Sequence, residues 1–156
     1  MSALNDYNLM KHFIFAFMAT VAFGILFQAP KKILVQGGLI GAIGWVTFTI
    51  LAKGMEYPSY LANFWATVAV QLLCEVSARI FKQPATVFNV PAIIPLVPGL
   101  GMYQGMRYII NNDYAYGSNI WMTTGLDACA IALGIMLVGG VFRAMRIHKF
   151  LRQRKV

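Results

Sequence analysis

Apolar runs of about 20 residues recur along the chain between short polar connections. They give five candidate membrane spans: Met10–Phe27, Ile33–Leu51, Tyr60–Phe81, Val87–Ile110 and Ile120–Val141. Pro30, Pro58 and Pro84 fall in three of the connections, where helices stop or start. The pattern predicts an all-α integral membrane protein: a single transmembrane domain over residues 1–156, built as a five-helix bundle with its fourth helix broken. The first run follows Lys11-His12 like a signal peptide, but Phe27-Gln28-Ala29 lacks the small upstream residue of a cleavage site. It is expected to stay in the mature protein.

The fourth run carries the break. Within Asn89-Val-Pro91-Ala-Ile-Ile-Pro95-Leu-Val-Pro98-Gly99-Leu-Gly101, three prolines each remove an amide donor and restrict the residue before them. Non-helical backbone at membrane depth survives only where protein buries it or where it lines a wet cavity. A cavity is therefore expected here, with Asn89, Pro91, Pro95, Pro98 and Gly99 shaping the break and Tyr103, Gln104 and Arg107 flanking the pathway. Broken helices present amide donors at one half-helix end and released carbonyls at the other, which suits a carboxylate and an ammonium group respectively. The alternative is a kinked helix simply packed against its neighbours.

The third run carries a polar ladder, Asn63, Thr67, Gln71, Glu75 and Arg79, in steps of four that stack on one helix face. Each step drifts by about 40°, so the stripe winds slowly, and it cannot face lipid. Glu75 and, in the fifth run, Asp127 are intramembrane carboxylates and hence candidate proton or amine sites. Glu75 has a structural alternative in pairing with Arg79. For Asp127, Arg107 and the ladder are the candidate partners.

In the second run, Gly37 with Gly41 has the GxxxG spacing of close helix packing, and Ala130 with Gly134 offers a looser version in the fifth. His12 reads as an interfacial residue. Cys74 and Cys129 have neither metal-ligand nor disulfide spacing and read as small core residues.

Composition agrees with membrane residence. Hydrophobic residues make up 59% of the 156 and charged ones 12%, against roughly 45–50% apolar in soluble domains. The length holds one bundle but no separate catalytic domain of about 100 residues.

The net charge of +8 does not point to nucleic acid, because six of the thirteen basic residues cluster between Arg143 and Lys155, in a tail spanning 143–156 after the last apolar run. Such a cluster sets topology and contacts acidic lipids. With the C-terminus cytoplasmic, ten basic residues lie inside and three (Lys11, Lys53, Arg107) outside, so five spans place the N-terminus outside. Tyr57, Tyr60, Tyr108, Tyr114, Tyr116 and Trp121 then fall near the outer interface, where such rings are favoured. No Ser/His/Asp order, phosphate loop or metal box is present, so neither an enzyme nor a cofactor is expected.

At Pro91-Ala-Ile-Ile-Pro95-Leu-Val-Pro98-Gly99 and Tyr103-Gln104-Gly105-Met106 the chain resembles the small membrane subunit of the threonine/serine exporter family. That subunit corresponds to the C-terminal five-span half of the single-chain exporters. The resemblance implies a bacterial inner-membrane secondary transporter that exports small amino acids or, in some split members, a dicarboxylate. It also implies a larger partner with its own five-span bundle and a soluble N-terminal domain. Proton coupling is expected from the carboxylates. The other readings are a non-transporting scaffold that stabilises the partner and a homo-oligomeric pore.

Overall fold

A computed structural model describes the backbone of residues 9–153 and the side chains of residues 9–145. The basic tail beyond Met145, expected to contact acidic lipids, therefore lies outside the described side chains. The described chain is helical throughout: α1 (Leu9–Leu26), α2 (Leu34–Thr49), α3 (Ser59–Phe81), α4 (Ala85–Ile93), α5 (Gly99–Ile110) and α6 (Tyr114–Gln153). Short 3-10 turns at Lys31–Ile33 and Ile94–Leu96 lead into α2 and follow α4, and a π-helical turn at Ile50–Gly54 extends α2.

Among the described residues, four helices are long and apolar enough to cross a membrane. The α4–α5 pair, bent by 48°, passes the same test jointly and would make a fifth. The protein is a multi-pass membrane protein.

Three connections share one device. Gln28, Glu56 and Lys82 take left-handed backbone after their helices (φ 56°, 56° and 52°), and a proline stands two residues on. A left-handed residue turns the chain out of the helix, and the proline's fixed φ prepares the next one. Pro58 and Pro84 are accordingly the residues that lead into α3 and α4.

Helix directions follow from paired contacts. Ser59 meets Asp127, Thr67 meets Gly134 and Gln71 meets Gly139. The numbers rise together, so α3 and α6 run parallel. On α5 and α6, Gly101 meets Thr124, Gly105 meets Trp121 and Ile109 meets Gly117, which makes those two helices an antiparallel hairpin.

The core lies where α2, α3, α4 and α6 converge on Ile40, Val70, Phe88, Leu96 and Ile131. Glycines let the backbones approach, though not in the register expected. Gly41 lies against Thr20 and Gly38 against Phe17 and Val21, both facing α1, while Gly44 turns toward Val70 and Leu96; a Cβ on Gly37 would meet nothing within 4 Å. The close α1–α2 approach is therefore made by Gly38 and Gly41, because steps of three also keep one helix face. In the looser motif, Gly134 packs against the Phe64 carbonyl and Thr67, with Ala130 buried beside it.

One other expectation is corrected. Cys129 is exposed rather than in the core, whereas Cys74 is buried; α6 packs mainly on α3 and α5, which leaves its remaining flank open. Trp45 Nε1 also donates to His12 Nδ1 at 3.2 Å, which ties α1 to α2.

Candidate functional site

The break is narrower than three prolines suggest. Pro91 is accommodated inside α4, and Pro95 sits in the first residues of a 3-10 turn, where no amide is needed. Only Pro98 ends the helical path. It holds Val97 in extended backbone (ψ 116°) and itself takes φ −63°, ψ 49°, so that the Gly99 amide donates back to the Val97 carbonyl at 2.6 Å. This is an inverse γ-turn. Asn89 and Pro91, expected to shape the break, instead lie within α4, with Pro91 buried near Gly24 of α1.

Beyond the turn α5 begins afresh. The Gly99 and Met102 amides bond to the Val97 and Pro98 carbonyls, which leaves those of Leu100 and Gly101 as the donors of the first turn. Nothing lies within 4 Å of where a Cβ on Gly99 would stand, so the start of α5 is open on that side. A helix start of this kind attracts carboxylates through its amides and dipole.

Asp127 belongs to the same level. Gly101 packs on Thr124; one turn before Gly101 is Pro98, and one turn after Thr124 on the antiparallel α6 is Asp127. The partner of Asp127 is on the third span, as one of the two expectations had it, but it is none of the five ladder residues read from the sequence, and it is not Arg107. Ser59 Oγ, in the first turn of α3, donates to Asp127 Oδ1 at 2.7 Å. Sequence reasoning passed over Ser59, although it stands four residues before Asn63 and so begins the same ladder. Thr124, buried against Gly101, was also not singled out as a site residue.

The ladder lies on the α3–α6 seam. Asn63, Thr67 and Gln71 are buried. No ion pair joins Glu75 to Arg79; the Arg79 guanidinium instead lies 4.6 Å from the centre of the Phe142 ring on α6. Glu75 stands roughly 24 Å along α3 from Ser59, so the two carboxylates occupy opposite ends of the seam rather than one site.

The expected sheltered chamber is not enclosed by this chain. Val97 is 49% exposed and Leu100 69%, because α5 packs against α6 and little else. Tyr103, Gln104 and Arg107 are likewise exposed on α5.

A family model described as "Threonine/Serine exporter, ThrE" matches residues 12–141, nearly the whole of the described bundle. The chain belongs to the threonine/serine exporter family. The proline-bearing α4–α5 segment, the γ-turn and Asp127 all fall inside the matched region. An uncharacterized protein of Haemophilus influenzae is 30% identical to this exporter-family chain over 144 residues, covering 86% of the chain and 48% of the relative. The chain thus spans about half the length of that curated relative. No solved structure matches this chain.

Proposed function

We propose that this chain is the membrane subunit of a secondary transporter that exports threonine, serine or a related small carboxylate across the bacterial inner membrane in exchange for protons. The reading rests on one juxtaposition: the open amides of Leu100 and Gly101 stand level with Asp127 and its Ser59 donor. A zwitterionic amino acid offers a carboxylate to the first and an ammonium group to the second.

The parallel course of α3 and α6 supports counting the bent α4–α5 pair as a full crossing, since the chain must return to the starting face between them. With the basic residues inside, the N-terminus is then outside. The exposed break supports a partner. A larger subunit with its own five-span bundle of opposite orientation would cover α5 and complete the chamber, in keeping with a relative of about twice the length.

The test is co-purification with the partner, reconstitution into vesicles and measurement of threonine flux with a pH-sensitive dye inside. Flux with accompanying proton movement supports the proposal. The uncovered break also favours a second reading, in which the chain only stabilises a larger transporter. That reading wins if the partner alone transports at the full rate.

A further inference from the structure

The α3–α6 seam has a requirement that the protein's own side chains do not meet. Asn63 is 3% exposed and Gln71 4%, yet the side-chain oxygens of both lack a hydrogen-bond partner. Buried amide oxygens without donors are destabilising, and ordered water is the usual remedy where a site is polar and has space. Thr67, between them and fully buried, donates its hydroxyl to the Asn63 main-chain carbonyl at 2.7 Å and so gives neither amide a donor. Opposite Gln71, α6 presents Gly139, whose missing Cβ would stand in ordinary van der Waals contact with Gln71 Nε2 at 3.9 Å, so the glycine leaves a methyl-sized gap beside the amide.

The ends of the seam differ from its middle. Asp127 at one end and Glu75 at the other are both partly exposed, whereas Asn63, Thr67 and Gln71 between them are buried. Two carboxylates joined by unpartnered carbonyl acceptors are what a water file needs: a proton-binding group at each mouth and fixed acceptors to orient the waters.

We propose that the α3–α6 seam holds a file of waters that carries the coupling proton from Asp127, at the edge of the substrate's site, to Glu75 at the other end of the seam. A proton leaves the Asp127 carboxyl for the first water, each water passes one proton on as it receives another, and Glu75 takes up one at the far end. One O–H bond forms for each that breaks, and nothing is oxidised or reduced. The Asn63 and Gln71 oxygens accept hydrogen bonds from the waters and are positioning residues. This inference rests on the proton-coupled reading above.

The experiment uses the reconstituted assembly with its partner and L-threonine as probe, comparing threonine exchange at equal pH with proton movement per threonine. Gln71→Leu removes an acceptor, Gly139→Val fills the space beside it, and Gly140→Val is the control, since nothing lies within 4 Å of a Cβ there. Exchange should persist in all three, while proton movement per threonine falls at least about tenfold in the two seam variants and is unchanged in the control. Proton movement at the unmodified ratio in the seam variants overturns the water file. Threonine flux without any proton movement in the unmodified assembly overturns the coupled reading instead. If a seam variant fails to assemble, radiolytic hydroxyl-radical labelling of the unmodified assembly decides. Oxidation at buried Val138, beside Gly139, is the expected result, and its absence overturns the file.

Discussion

Ser59 Oγ donates to Asp127 Oδ1 across 2.7 Å, joining the first turn of α3 to the middle of α6 at the level where the α4–α5 path breaks. The contact has two separable consequences. Ser59→Ala removes the donor and should lower stability by about 1 kcal/mol, as expected for a charge-assisted bond at a partly exposed position. Asp127→Asn keeps an oxygen for Ser59 and removes the charge, so the melting temperature should hold while threonine-driven proton movement is lost. Paired thermal melts and vesicle flux check both, and full proton movement in Asp127→Asn would remove the carboxylate from the coupling route.

The α5–α6 hairpin is held by small residues. A Cβ on Gly105 would run into the Trp121 ring, whereas one on Gly99 would meet nothing within 4 Å. Gly105→Ala should therefore destabilise by about 1–3 kcal/mol through overpacking. Gly99→Ala should leave stability within roughly 0.5 kcal/mol and, if Gly99 fronts the substrate carboxylate, weaken threonine binding. Trp121→Leu in the Gly105→Ala background should recover part of the lost stability by clearing the ring, which a detergent melt would register.

Spacing made the α3 stripe legible, because steps of four keep a helix face whatever the surroundings, and Ser59 stood one step beyond where the count stopped. The break was harder to place. Three prolines look alike in sequence, but Pro91 is carried inside α4, Pro95 occupies the first residues of a 3-10 turn where no amide is needed, and only Pro98 meets a residue turned to extended backbone. Hydropathy also misses the ends of α6, which starts at Tyr114 and runs on to Gln153, past the apolar window on both sides. Polar residues end an apolar window without ending a helix. The openness of the break could not be read from the sequence at all, since it depends on which neighbours α5 lacks.

Arg79 stacks on Phe142 and makes no ion pair with Glu75, so the two charges can be tested apart. Phe142→Leu should cost about 0.5–1 kcal/mol through the lost cation–π contact. Glu75→Gln should change stability by less than roughly 0.5 kcal/mol, because no partner charge is left unpaired. A loss of several kcal/mol in Glu75→Gln would mean that the carboxylate is held by a structural pair after all. Denaturation followed by tryptophan fluorescence provides the measurement.

The parallel pairing of α3 and α6 makes a prediction about topology that does not depend on transport. Glu56 and Asn112 sit in the α2–α3 and α5–α6 turns, while Gln28 and Gln83 sit in the α1–α2 and α3–α4 turns. If α4 and α5 together cross the bilayer, the first pair shares one face and the second pair the other, with the basic residues placing the second pair inside. In a chain carrying Cys74→Ala and Cys129→Ala, Glu56→Cys and Asn112→Cys should react with an impermeant maleimide in intact cells. Gln28→Cys and Gln83→Cys should react only after permeabilisation. A re-entrant α4–α5 would return Asn112 to the face of Gln83, so labelling of Asn112→Cys together with Gln83→Cys, and apart from Glu56→Cys, would reduce the spans to four and put the basic tail on the outside.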